Sequence, residues 1–96
     1  MPKAYVVARI DVTDPERYAK YVAVTPGVVA RFGGRFLARG GRYDAKEGPA
    51  RARNVIIEFP DFDSAQRFYD DAEYRGVLPD AAAGSERELV IVEGAD

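Results

Sequence analysis

The stretch Gly33-Gly34-Arg35-Phe36-Leu37-Ala38-Arg39-Gly40-Gly41 reads as a short strand with a glycine pair at each end. Two-residue alternation puts Phe36 and Ala38 on one face, and Arg35, Leu37 and Arg39 on the other. The first glycine pair stops the helix that precedes it, because glycine readily takes the left-handed conformation that closes a helix. The second pair bends the chain at the strand's end. Neither pair forms GxGxxG after a strand or GxxxxGK[ST], so neither reads as a phosphate loop. An arginine on a sheet surface calls for a partner, a ligand or water, which makes Arg39 the first candidate for function.

Working outward, the chain reads as strand, helix, strand, strand, helix, strand. Ala4–Val12, rich in Val, Ile and Tyr, is the first strand. Asp14 caps a helix that opens on Pro15, and Tyr18, Tyr21, Val22, Thr25, Val29 and Phe32 mark its apolar face. Pro26-Gly27 predicts a kink or short break in that helix. The second strand is expected from about Arg35 to Tyr43, followed by a polar loop over 45–50. Asn54–Phe59 is the third strand, and Asp61 caps a second helix striped by Phe62, Ala65, Phe68 and Tyr69. A further turn or short helix holds Tyr74, Val77 and Leu78 before Pro79, and 88–93 is the last strand.

Composition narrows the chemistry. The 96 residues make one domain, with 47% apolar and 31% charged side chains. There is no cysteine and no histidine. Thiolate nucleophiles, disulfides, serine–histidine catalysis, histidine-held haem and typical zinc sites are therefore excluded. No cofactor and no metal is expected. A net charge of −2 argues against nucleic acid as the main partner. No apolar run approaches the roughly 20 residues that span a bilayer. The N-terminus lacks a secretory pattern, which points to the cytoplasm. Residues 31–53 are basic, with Arg31, Arg35, Arg39, Arg42, Lys46, Arg51 and Arg53 against Asp44 and Glu47. They form either a solvated basic hairpin or an anion-steering patch. Asp70, Asp71 and Glu73 read as a solvated acidic surface.

Two strand–helix–strand units in one small domain define an α+β, ferredoxin-like βαββαβ fold. Its four-stranded antiparallel sheet places the first and third strands at the centre. Tyr5-Val6-Val7-Ala8, Val55-Ile56-Ile57 and Leu89-Val90-Ile91-Val92 are apolar on both faces, as in strands covered on both sides. The helices cover one face only. A face-to-face homodimer is expected to cover the other.

The run Arg9-Ile10-Asp11-Val12-Thr13-Asp14-Pro15 with Tyr18 and Tyr21 is similar to the domain-of-unknown-function 1330 family. So are the glycine-bounded strand 33–41, Ile57-Glu58-Phe59-Pro60, the aromatic segment from Ala65 to Tyr74, and Val92-Glu93-Gly94. The resemblance covers nearly the whole chain. It implies a ferredoxin-like chain of the dimeric α/β-barrel superfamily, and no established activity. The wider superfamily includes cofactor-free monooxygenases, muconolactone-type isomerases and haem enzymes, whose histidine ligation does not carry over. Family members tend to continue past Tyr74 as a longer helix with an arginine about two turns on. Here Gly76 and Pro79 disfavour a continuous helix, and Ala81 stands near the arginine position.

Strand parity sorts the candidate site. Val6, Ala8, Ile10, Val55, Ile57 and Phe59 turn toward the helices. Tyr5, Val7, Arg9, Asp11, Asn54, Ile56 and Glu58 turn the other way. Arg9, Arg39 and Glu58 are thus expected to meet on the face enclosed by the dimer. There Arg39 would anchor an anion, Glu58 would act as base or acid, and Tyr5 or Arg9 would orient the substrate. Tyr69, with Tyr18, Tyr21 and Tyr74, is either pocket lining or core. The alternative for the charged residues is an ion pair that fixes register. A one-residue register error or a bulge would remove Glu58 from the cavity altogether. Three classes remain open: a cofactor-independent enzyme on a small acidic or aromatic molecule, a metabolite-binding module, and a purely structural dimer.

Overall fold

Sheet and helices assemble in the order read from the sequence, and the computed structural model describes residues 2–95. The elements are β1 (Ala4–Val12), α1 (Pro15–Arg31), β2 (Arg35–Arg39), β3 (Arg53–Phe59), α2 (Phe62–Asp70), α3 (Ala72–Gly84) and β4 (Ser85–Glu93). The strands form one antiparallel sheet in the order β2-β3-β1-β4, so β1 and β3 are central. Val6, Ala8, Ile10, Val55, Ile57 and Phe59 are buried toward the helices. They pack with Val28, Val29, Ala65, Phe68 and Tyr74 in one core. Full burial of side chains such as Phe68 and Val28 contributes about 1.5–3 kcal/mol each.

Both expected caps form. Asp14 accepts from the Arg17 amide at 3.3 Å, and Asp61 from the Ser64 amide at 2.7 Å. The end of α1 closes as the glycine pair requires. Gly33, at φ 76°, donates to the Ala30 carbonyl, and Gly34 donates to that of Val29.

Three expectations are corrected. Helix α1 runs unbroken through Pro26, because Tyr18 and Tyr21 before it and Val28 and Val29 after it are all buried in the core. Helix α3 likewise continues through Gly76 and Pro79 to Gly84. An interior proline costs about 3 kcal/mol. Tertiary contacts on both sides of it oppose that cost: Tyr74 and Ala81 are buried, and Arg17 Nε donates to Asp80 at 2.8 Å. Strand β2 stops at Arg39 instead of Tyr43, where Gly40 turns to φ 70°.

The start of α1 docks on the end of α3. The amides of Thr13 and Asp14 both donate to the Gly84 carbonyl, at 2.9 and 3.0 Å. A Cβ at Gly84 would lie 2.8 Å from the Tyr18 amide nitrogen, so only glycine permits this approach. The contact fixes where Tyr18 and Tyr21 stand above the sheet.

Candidate functional site: a cationic cleft between helix and sheet

The register of β2 on β3 decides where Arg39 points. Phe36 pairs with Ile57, Ala38 with Ile56 and Arg39 with Val55, leaving Leu37 as the extra residue of a bulge. Parity flips there. Ala38 joins the open face, and Arg39 joins Phe36 on the helix side, its guanidinium carbon 4.3 Å from the ring centroid.

Arg9, Arg39 and Glu58 therefore do not meet. Glu58 and Arg9 stay on the open face as expected, but each has its own partners. Glu58 takes Lys3 and Arg35, both at 3.2 Å. Burial works against its charge, yet the hydrogen bonds from these two cations outweigh it and hold the carboxyl below its ordinary range. Arg9 donates to Glu88 at 2.8 Å and to the Pro49 carbonyl at 3.0 Å. Tyr5 lies between Glu58 and Val92 in the register of that same face. Tyr69 does not line the cleft; it packs 5.7 Å from the ring of Tyr74, which does.

On the helix side, a cavity of about 30 Å³ lies between α1 and the sheet. Val6, Ala8, Ile10 and Val55 form its floor, Tyr18 and Tyr21 its roof, and Arg39 and Arg53 one end. Arg53 and Arg87 flank Ile10 in the register of β3, β1 and β4. Arg87 sits 4.8 Å from the Tyr21 ring centroid and donates to the Tyr74 hydroxyl at 3.4 Å. The Tyr21 and Tyr74 hydroxyls are 2.6 Å apart. Gly40 backs the cleft, since a Cβ there would strike Arg53 Nη1 at 2.6 Å.

The charges in this cleft are unbalanced. Among the described residues, Arg39, Arg53 and Arg87 form no salt bridge, whereas Arg31, Arg35 and Arg51 of the same basic stretch each hold a carboxylate. Arg53 Nε and Arg87 Nη1 are buried with no hydrogen-bond acceptor. A buried donor left unpaired costs about 1–3 kcal/mol, and more when charged. Arg53 lines the cavity itself, whereas Arg87 reaches it only through Tyr21 and Tyr74, which it contacts from outside the lining.

Tyr18 and Tyr74 are not bases. Burial, and then Tyr21, raise Tyr18 above the ordinary phenol value, against the opposing pull of Arg87 and Arg53. Burial raises Tyr74 far more strongly, with Tyr21 adding to it. For Arg87 burial opposes the charge, but the Tyr21 and Tyr74 oxygens more than offset it and raise its pKa. The cleft thus presents phenol hydroxyls and permanent cations. It contains no carboxylate, and no cluster of potential metal ligands occurs among the described residues.

Arg53 and Arg87 were missed in the sequence reading, although the signal was there. Arg53 shares parity with Val55 and Ile57, and Arg87 with Leu89 and Ile91, so both point under the helices. The acidic cluster is likewise more than solvated surface. Asp71 caps α3 and is gripped by Arg31, while Asp70 pairs with Arg75.

A ferredoxin-like βαββαβ chain with a cationic cleft under its first helix is the class that fold and site define. The chain belongs to the family described as Domain of unknown function (DUF1330), which matches residues 3–95. Among proteins with curated descriptions, none matches it. Solved structures share the fold at low identity. A protein of unknown function from Rhodopseudomonas palustris is 18% identical at TM-score 0.76, over 99% of this chain and 84% of that one. SnoaB, a cofactor-independent oxygenase from Streptomyces nogalater, is 20% identical at TM-score 0.70, over 100% and 96%. A dimeric ferredoxin-like protein of unknown function from Jannaschia sp. CCS1 is 12% identical at TM-score 0.75, over 95% and 98%. No helix among the described residues is long and apolar enough to cross a membrane.

Proposed function

We propose that the cleft binds a small organic anion with an aromatic or enolic body and stabilises its oxyanion without a resident cofactor. The observation that carries this reading is the buried, acceptorless Arg53 Nε in the wall of an apolar, tyrosine-roofed cavity, with a second such nitrogen on Arg87 next to Tyr21 and Tyr74 of that lining. Fixed cations in a partly dry site favour the ionised form of a weakly acidic substrate, and that is chemistry a chain without histidine or cysteine can perform. The substrate's own acidity supplies what the residues lack as bases. Arg39 anchors the anion at the mouth, where it is exposed and lies over Phe36. A cavity of about 30 Å³ accommodates only one or two waters, so a ligand enters by displacing Arg39 and Phe36. The likeness to a cofactor-independent oxygenase agrees with this chemistry.

The same reading includes a homodimer on the open face of the sheet. Val90 and Val92 are 53% and 47% exposed there, next to Val7 and Ile56, with Leu37 at the edge 49% exposed. Ion pairs of Arg9 with Glu88 and of Arg35 and Lys3 with Glu58 rim the patch. A relative of the same fold is described as dimeric.

Calorimetric titration with benzoate, 2-naphthoate and 4-nitrophenolate tests the cleft. Binding by the wild type that is lost in Arg53→Met supports the proposal. No binding of any probe, or equal binding by the variant, overturns it. Deuterium exchange at the α-carbons of 2-tetralone, followed by NMR, separates a site that generates an enolate from one that only holds an anion.

A further inference from the structure

We infer that Tyr21 is the hydroxyl that donates to the ligand's oxyanion, and that Arg87 and Tyr74 are positioning residues that fix the direction of its proton. This rests on the cleft reading above and deepens it. Three facts carry it: the 2.6 Å contact between the Tyr21 and Tyr74 hydroxyls, the Arg87 contact with Tyr74, and the place of Tyr21 in the cavity roof.

Guanidinium is donor-only. Arg87 Nη2 points an N–H at the Tyr74 oxygen, so that oxygen offers a lone pair to Arg87 and turns its own proton away. The nearest acceptor for that proton is the Tyr21 oxygen. A contact of 2.6 Å between two hydroxyls holds one proton; either oxygen can give it, and we assign it to Tyr74 because among the described residues the Tyr74 proton has no other acceptor. The Tyr21 proton must then leave the pair. Among the described residues no other group accepts it, and Tyr21 faces the cavity. The Thr25 hydroxyl does not compete, since it donates to the Tyr21 backbone carbonyl at 2.8 Å.

The chain therefore runs Arg87 to Tyr74 to Tyr21 to ligand. Each donor polarises the next, with a permanent cation at its head. A site wired this way offers a proton and asks for an acceptor. It selects a ligand whose buried end is a bare oxyanion, such as a phenolate, enolate or carboxylate, over one that ends in a hydroxyl donor. Arg53 and Arg39 line the same cavity and supply charge to it.

The test uses a set of nitro- and fluoro-substituted phenolates of similar size and graded basicity, titrated into the wild type, Tyr21→Phe, Tyr74→Phe, Arg87→Met and Arg87→Lys. Circular dichroism confirms that each variant is folded. Wild-type affinity is expected to rise with phenolate basicity. Tyr21→Phe should weaken binding about 10- to 100-fold, the range for a hydrogen bond to a charged group, and flatten that slope. Tyr74→Phe and Arg87→Met should lower affinity a few-fold and make the slope shallower, with Arg87→Lys partly restoring both. A residue with only a structural role would leave the slope unchanged. Wild-type binding that Tyr21→Phe leaves intact overturns this assignment alone, as does a larger loss in Tyr74→Phe than in Tyr21→Phe. Failure of every phenolate, benzoate and naphthoate to bind the wild type overturns the cleft reading together with it.

Discussion

Arg31, in the last turn of α1, grips Asp71 through two hydrogen bonds, from Nη1 to Oδ1 at 3.1 Å and from Nη2 to Oδ2 at 2.8 Å. Asp71 Oδ2 also accepts from the amides of Glu73 and Tyr74, which caps α3. One carboxylate thus ties the end of the helix carrying Tyr21 to the start of the helix carrying Tyr74.

That double role makes a graded prediction. Asp71→Asn keeps a capping oxygen and loses the charge, while Asp71→Ala loses both, so melting temperature should fall in that order. The hydrogen bonds from Arg31 are the main cause of a carboxyl pKa below the ordinary value, with burial opposing. The folded value lies below the unfolded one, near 3.9. The contribution is therefore complete above the unfolded value and is lost as pH falls through the folded one. Melting curves from pH 7 down to about pH 2 should show the gap between wild type and Asp71→Ala closing at the acid end.

Gly84→Ala should destabilise the fold although it adds only a methyl group. The new Cβ would meet the Tyr18 amide nitrogen at 2.8 Å and the Asp14 carbonyl oxygen at 3.1 Å, and both are backbone atoms that cannot swing aside. Overpacking of this kind costs about 1–3 kcal/mol, readable from the urea midpoint.

Anion binding in the cleft should separate residues that sequence parity groups together. Glu58→Gln, on the far side of the sheet, should leave 2-naphthoate affinity unchanged. Arg39→Ala should weaken it a few-fold, and Arg53→Met should abolish it. Because Tyr18 and Tyr74 ionise only above the ordinary phenol value, affinity for this permanently charged probe should be flat between about pH 6 and pH 9. Titration calorimetry across that range checks both points.

A lysine at Val90 or Val92 should break a dimer formed on the open face without unfolding the chain, since both side chains are exposed in the single subunit. Light scattering on the wild type and on Val90→Lys reads this directly. A wild type that is monomeric at all concentrations would remove the dimer from the proposal.

Element order, sheet order and both aspartate caps were legible in the sequence because they depend on local periodicity and on side chains adjacent to the backbone they serve. The unbroken helices were not. Pro26 and Pro79 carry a local penalty that buried partners far along the chain override, and one sequence contains no record of those partners. The expected meeting of Arg39 with Glu58 is undone at a single residue. Leu37 is an ordinary strand hydrophobe, and nothing in its type announces a bulge; yet that extra residue carries Arg39 through the sheet plane, away from Glu58. Arg53 and Arg87 were readable by the parity used for their neighbours. What hides them is their type, since arginine is mostly found on exposed surface.

Strand β2 lies at the edge of the sheet, with β3 as its one neighbour. It is only five residues long, interrupted by the bulge, and it carries both Phe36 and Arg39. The door of the cleft is therefore hung on the element that detaches most easily. On the proposed reading, fraying of this strand would uncover Arg53 while β1, β3 and β4 stay paired, and admission of a ligand would be coupled to local melting of the edge. Backbone amides of β2 should then exchange with solvent faster than those of β1, and a bound anion should slow them more than any others in the sheet.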